Sequence, residues 1–331
     1  MEAMDLALKI PGTLLSPPGK NARLSILIYH RVLREQDPLF PSEVDGARFD
    51  AQMRQVSRIF NVIPLSEAVE RLKSGTLPAR AACITFDDGY ADNAEIALPI
   101  LKKRKIPATF FIATGYLNGG IMFNDSVIEC IRMTDRKTLS LPSLGLDELP
   151  VQTVAEKRLA IGSILSSLKY KEPVLRQELA EEIRSLTGID TPARLMMEDE
   201  QVKLLSDSGM EIGGHTVNHP ILASVDRETA RTEILNGKEY LEALTGNPVR
   251  LFAYPNGKPD RDYLAEHATI VKELGFDAAV STAAGVAHKK SDLFQLPRFT
   301  PWDRSSLRFS LRLVGNLSKT GAKTALPDGR R

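Results

Sequence analysis

Six short β-rich runs punctuate the chain: LSILIYH at 24–30, AACITFDD at 81–88, ATFFIAT at 108–114, MEIGGHT at 210–216, LFAYP at 251–255 and AAVST at 278–282. Stretches with helical spacing of apolar residues lie between them, so the chain reads as successive βαβ units and a mainly parallel sheet. Ala94, Leu98 and Leu101 recur at helical spacing after Asp92, with Pro99 expected to kink or interrupt that helix. Gly209 closes a segment carrying Val202 and Leu205 as a C-terminal cap, and Gly275 stops the stripe of Leu264, Val271 and Leu274. A chain of 331 residues can build one α/β barrel or two ordinary domains, so the choice falls to the motifs.

Polar residues close these runs. His30 ends the first, Asp87 and Asp88 the second, His215 the fourth, and Tyr254 with Pro255 the fifth. In an α/β barrel the carboxyl ends of all strands share one face, and the loops there assemble the active site. Independent strands then deliver their reactive groups to one rim. The expected organisation is an N-terminal extension over 1–22, a barrel over 23–317 with a helical insertion at about 117–198, and a basic tail over 318–331. That tail is poor in apolar residues and expected to be loosely ordered. Within SLRFSLRLV, a strand period places Leu307, Phe309, Leu311 and Leu313 on one face and Arg308 and Arg312 on the other. A half-buried edge element is the preferred reading, with a peripheral membrane contact left open.

Composition removes several classes. Lys plus Arg is 43 against 42 for Asp plus Glu, so no positive surplus points to nucleic acid. Hydrophobic residues make up 43% and charged residues 26%, the balance of a folded, water-exposed protein. Its longest apolar runs fall far below the ~18 residues a membrane-spanning helix needs. Cys83 and Cys130 are too few for a disulfide framework and fit a reducing compartment. Glu2 and Asp5 stand where an export signal wants positive charge, and Pro11 breaks the short apolar run, so the cytoplasm is the expected location.

Asp88, His215 and His219 supply one carboxylate and two imidazoles, a donor set that suits zinc or a similar first-row divalent ion and leaves room for water and substrate. HTVNH separates its histidines by three residues, so a helical turn or a tight loop can aim both rings at one point. Gly89, Gly213 and Gly214 leave space for close backbone approach. Adjacent Asp87 and Asp88 point opposite ways if extended, so one can hold a metal while the other faces its water.

With these motifs in place, the chain resembles the NodB-homology polysaccharide deacetylases, carbohydrate esterase family four. ITFDDGY is similar to their first motif, HTVNH to the second, and FAYPNG, at Phe252 to Gly257, to the third. The resemblance runs from about Ile26 to Trp302, interrupted by the insertion. It implies a distorted (β/α) barrel and a hydrolase of non-peptide carbon–nitrogen bonds that removes N-acetyl or other N-acyl groups from amino sugars of a polysaccharide, oligosaccharide or glycolipid. It further implies one divalent ion, zinc the first choice and cobalt, nickel or manganese the alternatives, held by Asp88, His215 and His219. Asp87 becomes the general base. The segment Tyr254, Pro255 and Asn256 would meet substrate, with a main-chain N–H near Asn256 stabilising the oxyanion.

Two departures from the pattern matter. The usual acid histidine near the C-terminal end has no counterpart after Trp302, whereas LIYHRV resembles the permuted, exopolysaccharide-deacetylating branch and makes His30 the acid. Ala253 stands where many relatives carry an arginine that orients the base. Arg250 or Arg298 is left to replace it, with Arg298 preferred because it ends a late strand-like run. Asp277 matches the acidic residue of the fourth motif, but Ser281 stands where a tryptophan is expected. His267, on a helical stripe, reads as a hydrogen-bonded structural histidine, and His288 as a solvated loop residue. Two other readings compete: a hydrolase of a small cyclic amide, whose site should be closed over by loops, and a non-catalytic glycan-binding barrel.

Overall fold

A computed structural model describes residues 2–190 and 194–327, and in it the apolar runs become parallel strands with helices between them. After α1 (Glu2–Leu15) comes β1 (Leu24–Tyr29), then the short pair β2 (Val32–Leu33) and β3 (Val44–Asp45), α2 (Gly46–Ile59), β4 (Asn61–Val62), α3 (Leu65–Ser74) and β5 (Ala81–Phe86). α4 (Leu98–Arg104) leads to β6 (Thr109–Ile112). α5 (Phe123–Met133), β7 (Thr138–Leu141), β8 (Leu146–Pro150), α6 (Val154–Leu168) and α7 (Pro173–Thr187) follow. The chain then returns through α8 (Asp199–Asp207), β9 (Glu211–Gly214), α9 (Arg227–Thr245), β10 (Leu251–Ala253), α10 (Ala265–Glu273), β11 (Ala278–Ala284), β12 (Leu296–Arg298) and α11 (Ser306–Asn316).

Seven strands run parallel in the order β1-β5-β6-β9-β10-β11-β12, with β4 paired to β5 beside this path. Just past β12, Phe299 donates its N–H to Ile26 (2.7 Å) and accepts the N–H of Ile28 (3.0 Å), which draws the last strand onto the first and nearly closes a barrel. Every residue of β1 and β5 is buried, as expected for parallel strands covered on both faces. Alternate residues divide between two cores. Ile84, Phe86, Phe110 and Phe252 pack with the surrounding helices, while Cys83, Phe111, Leu251 and Ala253 join a second cluster with α3. Gly213 is required in this packing, because a Cβ there would lie 2.4 Å from the Phe111 ring.

Several local expectations change. Pro11 does not break the first run: α1 continues through it to Leu15. Pro99 does not end its helix: the chain stays helical over residues 91–104, and the disturbance takes the form of a π-helical turn at Asn93–Ala97 just before the proline. The insertion is not helical throughout, since β7 and β8 form an antiparallel hairpin across Pro142 to Gly145. It gathers its own apolar core, including Val127, Ile131, Leu139, Ile164 and Ile183. SLRFSLRLV is a helix, not an edge strand. Phe309 and Leu313, four apart, are buried, and Leu307 and Leu311 lie on the solvent side, because alternation over so few residues also satisfies i, i+4 spacing. The tail is held against the barrel as far as Leu326. Lys319 accepts the N–H of Val286, and the N–H of Ala325 bonds Gln295. Residues 328–331 of that tail lie outside the described residues. Among the described residues no helix is long and apolar enough to cross a membrane.

Candidate active site

At the carboxyl end of β5 the chain turns over Asp87, Asp88 and Gly89. Asp88 takes φ +77° and Gly89 φ +93°, an inversion that sends the two neighbouring carboxylates to different partners. Rim loops are stitched to one another by the backbone. Asp87 donates its N–H to Tyr29, Asp88 accepts that of Ala113, and Thr114 donates to Thr216. HTVNH leaves β9 as a tight loop, with Thr216 at φ +66° and His219 at φ +50°, and the Thr216 hydroxyl accepts the His219 N–H at 3.0 Å. Asn256, at φ +59°, is a fourth non-glycine residue in this sparsely populated region. Such conformations persist only where surrounding structure enforces them, and they concentrate at functional sites.

The loops bring the predicted ligands together. Asp88 Oδ1 lies 3.2 Å from Nε2 of His215 and 3.4 Å from Nε2 of His219, and the two imidazole centroids are 4.8 Å apart. Nδ1 of His215 is 2.7 Å from the carbonyl of Ala253, which can only accept, so Nδ1 carries the hydrogen and Nε2 is directed to the shared point. Burial, partly offset by the Asp88 charge, lowers His219 to about 4 and leaves it neutral at pH 7. Burial also works to lower His215, but its hydrogen bond to Asp88 and the charges of Asp87 and Asp88 win and raise it. Asp88 shows the reciprocal effect. Burial would raise it, and the two histidines hold it well below the usual carboxylate range. One carboxylate and two imidazoles, with ligand atoms within 4.8 Å of one another, fit a first-row divalent ion.

Asp87 faces elsewhere. Its two oxygens accept from Nη1 and Nη2 of Arg298, both at 2.7 Å, while Arg298 Nε donates to the Ser281 carbonyl at 2.8 Å. Both side chains are almost fully buried, at 2% and 1% exposure. Burial pushes Asp87 up, but the charge of Arg298, then that of His215, outweighs it and holds the carboxyl below its ordinary value. Arg298 thus takes the position left by Ala253. Arg250 instead pairs with Asp277 at the surface, 3.3 Å away.

His30, Asp87, Asp88, His215, His219 and Asn256 line one cavity of about 420 Å³. The charge of His30 acts on Asp87, Asp88 and His219, and its own carbonyl accepts from Asn93 at 2.9 Å. Tyr254 and Pro255 do not belong to this cavity. Tyr254 is buried, stacks on Tyr263 at 3.9 Å and donates to the Phe294 carbonyl, because strand alternation turns it into the core. His267 accepts the Leu264 N–H at the start of α10, and His288 meets the Thr320 carbonyl; neither lines the cavity. Tyr90, Phe123, Asp125 and Arg176 also line it; Tyr90 closes the ITFDDGY motif, and no motif marks the other three. The Tyr90 hydroxyl donates to Asp125 at 3.0 Å, and burial pushes the Asp125 carboxyl up to about 7. The place of Tyr90 follows from its position directly after FDDG, whereas the insertion residues carry no comparable signal.

Residues 74–157 and 168–279 match the family model described as polysaccharide deacetylase. The Staphylococcus aureus poly-beta-1,6-N-acetyl-D-glucosamine N-deacetylase is 28% identical over 180 residues, which cover 51% of this chain and 60% of that protein's length. Streptococcus pyogenes deacetylase PplD, solved in complex with acetate, superposes with a TM-score of 0.60 at 21% identity, covering 88% of this chain and 98% of that one. IcaB from Ammonifex degensii gives 0.55 at 20% identity, covering 92% and 98%. At such identity these two structures speak for a shared barrel fold.

Proposed function

This chain belongs to the polysaccharide deacetylase family, hydrolases of amide carbon–nitrogen bonds, and we propose that it removes an N-acetyl or other N-acyl group from an amino sugar with one divalent ion held by Asp88, His215 and His219. The observation that carries this reading is the convergence, in one cavity, of that donor set with a buried, ionised Asp87 locked by Arg298. Asp88, His215 and His219 would hold the divalent ion, zinc the first choice, which when bound would supply Lewis-acid polarisation of the amide carbonyl and a more acidic water. Asp87 is the base that accepts the water's proton, and the Arg298 fork fixes the direction of its oxygens. His30, on the same cavity wall, protonates the departing amine. The main-chain N–H of Asn256 meets the developing oxyanion.

The name of the S. aureus relative supports N-acetylglucosamine polymers as the first substrates to try. The test joins metal analysis to acetate release from N-acetylglucosamine oligomers and lipid-linked acylated sugars. About one divalent ion per chain and release that stops on chelation are expected. A metal-free, fully active protein, or a metal-loaded one inert on every acyl sugar, overturns the proposal.

A further inference from the structure

Three arginines line the cavity, and two of them are neutralised. Arg31 pairs with Asp92 at 2.8 Å, and Arg132 pairs with Asp37 at 2.7 Å and Glu129 at 3.0 Å. Arg176, on α7, is different. It is only 8% exposed, and among the described residues no carboxylate lies within 4.0 Å of its guanidinium. The Glu172 charge reaches it only from farther away, and burial lowers its pKa. Its guanidinium rests over the Phe123 ring, 4.3 Å from the centroid. A buried cation without a counter-ion is unfavourable unless an anion joins it.

Phe123 is the first residue of α5, an 11-residue helix whose N-cap, Met122, supplies no side-chain hydrogen bond. Met122, Phe123 and Asn124 all line the same cavity, so the positive end of the helix, whose first-turn N–H groups have no partner within the helix, borders the cavity beside Arg176. Asp125 shares that first turn, but it is tied to the Tyr90 hydroxyl and burial leaves it only partly ionised near neutral pH. We infer that Arg176 and the N-terminus of α5 form a subsite for an oxyanion, carboxylate or phosphate, carried by the acylated sugar. The choice of an acylated sugar rests on the deacetylase reading; the anion preference rests on Arg176 and α5 alone.

The test measures calorimetric binding of N-acetylglucosamine, its 1-phosphate and the corresponding N-acetylated uronic acid to the full-length, metal-loaded protein and to Arg176→Met, Arg176→Gln and Arg176→Lys. Acetate release from each sugar is followed in parallel. At least one anionic sugar should bind ~10-fold or more tightly than the neutral one, the scale of a charge-assisted contact. Met and Gln should erase that margin while leaving the neutral sugar's affinity unchanged, and Lys should keep part of it. Whether the phosphate or the carboxylate holds the larger margin identifies the anion. Equal binding of neutral and charged sugars by the unaltered protein overturns the inference. So does a margin that survives both neutral variants, which would place the anion at the metal, or an equal loss for all three sugars, which would mark Arg176 as structural. If the margin behaves as expected and no sugar releases acetate, the deacetylase reading fails and the anion subsite stands.

Discussion

Asp88 holds φ +77°, a conformation that costs a non-glycine residue on the order of 1–3 kcal/mol, and this inversion aims its carboxylate at the histidine pair while Asp87 meets Arg298. Adjacent acids with the separate duties proposed for Asp87 and Asp88 should fail separately. Asp87→Asn should retain the metal and lose ~100-fold or more in turnover, whereas His215→Ala or His219→Ala should lose most of the metal by elemental analysis. Metal loss in Asp87→Asn with retention in Asp88→Asn would exchange the two roles. Arg298→Met leaves a buried carboxylate unpaired and should cost about 3–5 kcal/mol in denaturant unfolding. The depressed pKa of Asp87 means that its ion-pair contribution is complete above an unfolded value near ~3.9 and is lost as pH falls through the lower folded value. Without Arg298, burial pushes Asp87 up, so the acid limb of the pH–rate profile should move to higher pH. His30→Ala should keep the metal and lose more turnover on an amide than on an activated ester, whose leaving group needs no proton. Equal losses on both would remove the acid role.

Among the elements, α11 shows how a short pattern misleads. Leu307, Phe309, Leu311 and Leu313 alternate as a strand would, yet Ser305 caps a helix there and sends Phe309 and Leu313 inward. A strand face would make Leu307 and Phe309 equivalent. The helix predicts that Phe309→Ala costs about 3–5 kcal/mol, while Leu307→Ser stays within ~0.5 kcal/mol by denaturant titration. The opposite error occurs at Tyr254, where the strand-end position is correct but the side chain turns into the core. The Arg298 preference rested on the same strand-end reasoning and meets its partner, because a β12 residue facing the second core reaches Asp87 across the barrel interior.

For the whole molecule, the closing contact between Phe299 and β1 and the packing of the tail matter together. β12 presents Arg298 to Asp87 only while β12 is held against β1 and β11. Removing residues 319–331 deletes the Lys319 and Ala325 contacts to Val286 and Gln295, on either side of the β11–β12 connection. That truncation should lower Tm by about 1–2 °C for each kcal/mol lost, because the unfolding entropy of a chain of 331 residues is on the order of 0.7 kcal/mol per degree. An unchanged Tm would show the tail to be an ornament on the barrel.

Runs separated by helical spacing were enough to specify βαβ units and a mainly parallel sheet, the motifs made that sheet a barrel, and the residues closing the runs, with HTVNH, were enough to name Asp87, Asp88, His215, His219 and His30 as neighbours. Period and strand-end position are local properties, written in consecutive residues. Only the tertiary structure decided that Arg298 grips Asp87 from 211 residues away, that Tyr254 is core, and that Arg176 reaches the cavity from the insertion. Those outcomes depend on which face of β10 meets the helices, which strands become neighbours and where the packed pair of α5 and α7 lies against the rim, none of which is written in consecutive residues.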